Sequence, residues 1–89
     1  MTLSFPNPTR SFDEKRNAVQ FVGHDGVFEV RFFVEASALT DDESGDATIF
    51  VLNCLSAFDT MREAIENIAR KAYSNKRLNS YTISAANFR

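Results

Sequence analysis

The chain has 89 residues, of which 44% are hydrophobic and 25% charged, with three glycines and two prolines. These values exclude a disordered chain and predict one domain over residues 1–89. The net charge of −2 argues against a dedicated nucleic-acid binder, and no apolar run approaches the ~20 residues of a membrane helix.

The cysteine content and the N-terminal residues indicate the cellular compartment of the protein. Cys54 is the single cysteine, which excludes an intramolecular disulfide. The first residues lack the basic and then apolar order of a signal peptide. Both observations predict a cytoplasmic protein.

The N-terminal region predicts little regular structure. Residues 2–5 form a short predicted strand, because Pro6 and Pro8 follow at once and cannot continue a sheet ladder. Residues 7–15 are polar and rich in turn formers, so we expect a loop anchored by Phe12.

A β-hairpin is predicted over residues 18–34, because the dipeptide Asp25-Gly26 separates two β-rich runs and favours a type I′ turn. A four-residue loop over 23–26 is the alternative, and it changes the paired residues but keeps the two faces. The first face is wholly apolar and holds Val19, Phe21, Gly23, Phe28, Val30 and Phe32. The second face is mixed and holds Gln20, Val22, His24, Val27, Glu29, Arg31 and Phe33.

A long amphipathic helix is predicted over about residues 47–74, with Asp46 as its N-cap. Its apolar positions recur at steps of three and four: Val51, Leu55, Phe58, Met61, Ile65, Ile68 and Ala72. Residues 48–52 are equally β-prone, which leaves a strand open there. Such a helix spans about 42 Å, whereas a globule of this length measures about 30 Å across. The helix must therefore overhang, bend or pack on a second protomer.

A short strand over residues 81–84 and Phe88 as a last apolar anchor complete the chain. The predicted fold is α+β. A small antiparallel sheet, built on the central hairpin with one short strand at each end of the chain, packs against the long helix.

Several motifs together resemble a known family. They are Ser11-Phe12-Asp13, Ala18 to Phe21, Gly23-His24-Asp25-Gly26, Val30 to Ala36, the later Phe58, Arg62, Ile65 and Tyr73, and the closing segment 81–88. The pattern is similar to a small bacterial family catalogued as domain of unknown function 1488. The resemblance implies a bacterial, single-domain α+β protein and a helix rather than a strand over 48–52. It carries over no active site, because none is assigned to the family.

No catalytic, metal or cofactor site is predicted. His24 is the only histidine, and turn chemistry explains both it and the adjoining Asp25. Cys54 lies in an apolar helix segment, where cysteine behaves as a small hydrophobe. The acidic run over 41–46 lacks the residue order of a calcium loop.

Three functions are weighed. The first is a non-enzymatic interaction module that associates with itself as a homodimer or with an unknown protein, through Val22, His24, Glu29, Arg31 and Phe33 on the mixed hairpin face. The alternative is weak nucleic-acid binding through the basic end of the helix, at Arg62, Arg70, Lys71, Lys76 and Arg77. The third is a small enzyme that uses His24. The uneven charge, −5 over residues 1–46 and +3 over residues 47–89, supports association between copies.

Overall fold

The computed structural model describes residues 3–6, 9–40 and 45–88. These residues form the α+β fold that the sequence predicts. The strands are Arg10–Asp13 (β1), Ala18–Asp25 (β2), Phe28–Glu35 (β3) and Ser80–Ile83 (β4). The helices are Ala36–Leu39 (α1), Ala47–Thr60 (α2) and Arg62–Asn75 (α3), and a 3₁₀ turn over Ala85–Phe88 follows β4.

The hairpin is confirmed, with the loop one residue later than predicted. Asp25 pairs with Phe28, so the two-residue loop is Gly26-Val27. Gly26 has a φ of 62° and stands first in the loop, the position that type II′ turns give to glycine. The paired residues shift accordingly, but Phe21 and Phe32 still share the apolar face because the shift is even.

The predicted loop over residues 7–15 is wrong where β1 forms. Its residues pair with β2 from Arg10 opposite Phe21 to Asp13 opposite Ala18. Of the predicted strand over residues 2–5, residue 2 lies outside the described residues. The remaining part forms one bridge, in which Ser4 and His24 exchange two backbone hydrogen bonds of 2.8 Å. Prolines lie between these two pairings, which fits their exclusion from a continuous ladder.

The long helix is confirmed over residues 47–75, but it is interrupted at Met61, which separates α2 from α3. Asp46 is its N-cap, as predicted, and its carboxylate accepts a hydrogen bond from the Ile49 N–H at 3.0 Å. The longest dimension of the described molecule is 42 Å. The helical residues are divided into two helices of 14 residues each, so neither has to span the roughly 42 Å that a continuous helix would need.

The C-terminal strand is confirmed at Ser80–Ile83, but it lies parallel to β3, so the predicted antiparallel sheet is in fact mixed. The strand order is β1-β2-β3-β4, with α1, α2 and α3 forming the connection from β3 to β4. A crossover that contains helices is the usual way to bring two strands side by side in parallel.

The core lies between the sheet and α2 and α3. Phe21, Phe32 and Tyr81 lie on three neighbouring strands and stack as a ladder, with ring centroids 5.1 Å and 5.2 Å apart. Phe58 and Ile65 reach the ladder from the helix side, and both are fully buried. The predicted docking of the apolar hairpin face on the helix stripe is thus confirmed except at Phe28, whose side chain is 71% exposed.

Candidate functional site

The mixed face of the hairpin, predicted as a partner surface, forms the outer side of the sheet. Val22 and His24 are half-buried there, and Glu29 and Arg31 are exposed. Phe33 is only 5% exposed, because the guanidinium of Arg16 covers its ring at 4.1 Å. Of the two apolar residues among the predicted partner residues, Phe33 is therefore covered by the chain itself, and Val22 is half-buried.

His24 and Cys54 lie on opposite sides of the sheet. His24 is on the outer face, opposite Glu29 in the ladder. Cys54 is fully buried in the core on the inner face. The structure therefore does not bring the two side chains together as a nucleophile and its base.

The basic residues of the predicted nucleic-acid surface are engaged within the chain at three positions. Arg62 contacts Asp59 and Glu66 at 3.4 Å and 3.9 Å. Arg70 lies 5.0 Å over the Phe5 ring, and Arg77 lies 5.7 Å from the Tyr73 ring. Lys71 and Lys76 are exposed.

A different surface appears on α2, on the side that faces away from the sheet. Ile49 is 47% exposed and Leu52 is 59% exposed, and the exposed Asn53 and Ser56 complete the same side. These residues are spaced at three, four and seven, so they form one stripe. We call Ile49, Leu52, Asn53 and Ser56 the outer stripe.

The outer stripe was missed because α2 was expected to be amphipathic. Its buried side, with Cys54 and Phe58, matches that expectation. No charged residue occurs between Ala47 and Phe58, however, so the opposite side is uncharged as well. The absence of charge all round the helix is the sequence signal that indicates a second covered side.

A groove adjoins α2 at its N-terminal end. A cavity of about 580 Å³ lies between the β1–β2 turn and the helix, with Phe12, Phe50 and Val51 among its lining residues. Phe12 and Phe50 meet edge to face at 6.2 Å. The apolar surface around α2 thus extends past the outer stripe towards β1.

An ion pair ties β1 to the end of α2. Arg10 donates two hydrogen bonds to Asp59, at 2.9 Å and 2.7 Å. This hydrogen bonding and the charge of Arg10 lower the pKa of Asp59, and Arg62 adds to the effect. Bidentate geometry makes this the best-formed ion pair among the described residues.

A second concave site lies at the hairpin end of the molecule. Tyr73 of α3 donates a hydrogen bond of 2.6 Å from its hydroxyl to Asp25 of β2. This hydrogen bond, followed by burial, raises the pKa of Tyr73. A cavity of about 280 Å³ opens beside the pair, lined by Phe28, Glu29 and Leu78 as well. We call this site the tip cavity.

Two findings about the described residues concern metal ligands and membrane-spanning helices. The described part of the chain contains no group of three or more potential metal ligands. None of its helices combines the length and apolarity that crossing a membrane requires.

Comparison with known proteins places the chain in a family. The family model described as protein of unknown function (DUF1488) matches residues 3–84, and the chain belongs to this family. No curated protein and no solved structure matches the chain.

Proposed function

We propose that this DUF1488 protein is a non-enzymatic interaction module of the bacterial cytoplasm that forms a homodimer through the outer stripe of α2. The observation that carries the proposal is a helix that is apolar on its buried side and uncharged on its exposed side. An exposed side that has no charge and includes Ile49 and Leu52 is suited to being covered by another surface.

The outer stripe is complementary to itself. If two α2 helices pack antiparallel about a twofold axis centred between Leu52 and Asn53, Leu52 meets Asn53 of the second copy. Ile49 then meets Ser56, so the largest β-branched side chain faces the smallest residue of the stripe. Large against small is the arrangement that lets two helices interdigitate closely.

Charge favours a second copy of the chain as the occupant. Across a twofold axis, a charged residue in the interface would lie close to a like charge of the second copy. The outer stripe contains no charged residue, so this repulsion does not arise. The carboxylate nearest to its C-terminal end, Asp59, is already neutralised by Arg10 and Arg62. Two copies therefore approach without burying an unpaired charge.

The expected dimer is weak. Full burial of Leu or Ile stabilises by about 1.5–3 kcal/mol, and each of these side chains here is about half exposed. Four of them in a dimer contribute roughly 3–6 kcal/mol before the cost of association is subtracted. Neighbouring contacts at Thr48 and Leu55 add to this, and we expect a dissociation constant of about 1 mM, which corresponds to about 4 kcal/mol.

Sedimentation equilibrium from about 10 μM to about 1 mM protein tests the proposal. We expect a concentration-dependent dimer that Leu52→Glu converts to a monomer, because the variant places two carboxylates near the twofold axis. The matched control is Val27→Glu, at a side chain that is 93% exposed in the hairpin loop. This variant should dimerise like the unmodified chain. A monomer throughout that range, or equal loss in both variants, contradicts the proposal.

A further inference from the structure

We propose that the outer edge of β4 is a second binding site, and that it takes an extended, acidic segment of a partner protein as a fifth strand of the sheet. The inference uses β4, α3 and Arg31 and none of the outer stripe, so it stands or falls separately from dimerisation. Three features carry it: outward backbone groups along the edge, an open space beside α3, and the cations around β4.

β4 is the last strand of the sheet, and half of its backbone groups point away from β3. The Arg31 N–H donates to the Asn79 carbonyl at 3.1 Å, although Ser80 is the residue opposite Arg31. In a parallel ladder this pattern directs alternate residues, here Asn79 and Tyr81, towards the neighbouring strand. The N–H and C=O groups of Ser80 and Thr82 therefore point outward, to the side where no strand of the described residues lies.

These outward groups fit the backbone of an extended peptide. No hydrogen bond between described residues involves them, and both Ser80 and Thr82 are exposed. Donors and acceptors that recur at every second residue are what a peptide pairs with when it adds a strand. The two outward carbonyls need donors, which a peptide backbone supplies and a phosphate backbone lacks.

An open space adjoins this edge on the inner side of the sheet. α3 lies over β4, since the rings of Tyr73 and Tyr81 meet at 6.4 Å between centroids. The half-buried Ile68 and Ala72 of α3 line a cavity of about 320 Å³ together with Asn87, which follows β4. A strand added beside β4 directs every second side chain towards α3, where apolar side chains can pack on Ile68 and Ala72.

The charge around β4 selects an acidic occupant. Residues 67–88 contain four basic residues and no aspartate or glutamate. Lys71 lines the cavity, and the Lys76 carbonyl is held by the Tyr81 hydroxyl. Arg31 lies on β3 where β4 begins. None of the ion pairs among the described residues involves these three cations, so they are available to carboxylates of a partner.

The carboxylates of β3 lie off this edge. Glu29 and Glu35 stand at the two ends of β3, outside the part that pairs with β4. Arg31 shares the outer face with Ser80, which lies between it and the edge. An added strand lies two strand spacings from β3, roughly 10 Å. An arginine and a glutamate side chain can meet across that distance, because the serine between them is small.

The experiment is an amide NMR titration of the full chain with short peptides that alternate valine and glutamate. A companion peptide carries lysine in place of glutamate, and single-stranded DNA serves as the second anionic probe. We expect the acidic peptide at millimolar concentration to shift the amide resonances of Ser80 and Thr82 and to slow their exchange with solvent. The lysine peptide and the DNA should not slow this exchange, because the first has the wrong charge and the second lacks backbone donors.

Two N-methylated forms of the acidic peptide test strand addition directly. Methyl groups on alternate residues block the N–H groups on one side of an extended peptide and leave the other side intact. One of the two forms, and only one, should lose binding, since a single side of the peptide faces β4.

Variants locate the contacts. Thr82→Pro removes an outward N–H without removing a ladder hydrogen bond, and should weaken binding of the acidic peptide about fivefold or more. Its control, Thr82→Val, keeps the N–H and should bind like the unmodified chain. Arg31→Gln and Lys71→Gln should each weaken binding about two- to fivefold. The matched control Lys15→Gln, an exposed cation of the turn beside the opposite edge of the sheet, should not.

Three results would overturn the assignment: unchanged amides at Ser80 and Thr82, equal binding of the glutamate and lysine peptides, or an equal effect of the two N-methylated forms. Slower exchange of the same amides with DNA would assign the edge to nucleic acid instead. If Thr82→Pro fails to fold, the methylated peptides still test the same hydrogen bonds. Leu52→Glu should bind the acidic peptide like the unmodified chain, which separates this site from the dimer.

Discussion

Replacement of Gly23 by alanine tests how the N-terminal segment is held on the sheet. A Cβ at this position would lie 2.9 Å from Cε1 of Phe5 and 3.0 Å from Cδ1 of Leu3. Both side chains pack on the inner face of β2, and Phe5 also contacts Phe21 and Phe32 at 5.8 Å and 6.2 Å between ring centroids. The methyl group therefore has to displace the segment that carries Leu3 and Phe5.

Two opposing effects set the magnitude. Overpacking of a filled site costs about 1–3 kcal/mol. Alanine also reduces the conformational entropy of the unfolded chain, which stabilises the fold by about 0.4–1 kcal/mol. This gain applies because Gly23 does not have a positive φ, so alanine can adopt its backbone geometry. The net effect is a destabilisation of about 1 kcal/mol, which lowers the melting temperature by roughly 4–8 °C for a domain of this size.

A double-mutant cycle with Phe5→Ala provides the assay. In that background the ring is gone and Leu3 can relax into its place, so Gly23→Ala should be neutral or slightly stabilising in thermal and urea unfolding. Amide exchange should also show faster opening of the Ser4–His24 bridge in the single Gly23→Ala variant. An equal loss of stability in both backgrounds refutes the reasoning, because the cost would then not come from Phe5.

Three further outcomes follow from contacts described above. Phe58→Ala should cost about 3–5 kcal/mol in urea unfolding, because its ring is fully buried. The pKa of Asp59 is lowered by Arg10, so the ion pair stabilises above about pH 4 and is lost as the pH falls further. Asp59→Asn should therefore lower stability by about 0.2–1 kcal/mol at neutral pH and by nothing in acid. The raised pKa of Tyr73 should fall towards about 10 in Asp25→Asn, as its ring resonances would report.

Side-chain periodicity predicted the faces of the hairpin but not the position of its loop. Faces depend only on odd and even positions, so they survive a shift of two in the pairing. The loop position depends also on a contact far away in the chain, since Asp25 is held by Tyr73 and takes a strand position in place of a turn position. Local turn preference could not anticipate that contact.

Local sequence signals could not predict β1 or the direction of β4, because both depend on the neighbouring strand. Arg10–Asp13 contains one strongly apolar residue, Phe12, and becomes a strand because the edge of β2 is available to pair with it. The alternation of residues in β4 indicates a strand but carries no information on whether its neighbour runs parallel. The break at Met61 likewise has no proline or glycine to mark it.

Of the two candidate sites, the outer stripe could have been predicted from the sequence and the tip cavity could not. The outer stripe could have been found from sequence, because an uncharged run from Ala47 to Phe58 is visible without coordinates. The tip cavity could not, since it needs α3 folded back against the hairpin so that Tyr73 meets Asp25. The cover that Arg16 provides for Phe33 is also a tertiary contact, so the sequence alone could not show that this ring on the mixed face is covered.

The parallel placement of β4 has a consequence during synthesis on the ribosome. β3 is complete when Glu35 has been made, but the strand that flanks it begins only at Ser80. Until then the outward backbone groups of Arg31 and Phe33 stay unpaired on a growing chain. A nascent or prematurely terminated product therefore presents an edge to which another chain can add, and the pairing of Ser80–Ile83 with β3 ends this exposure.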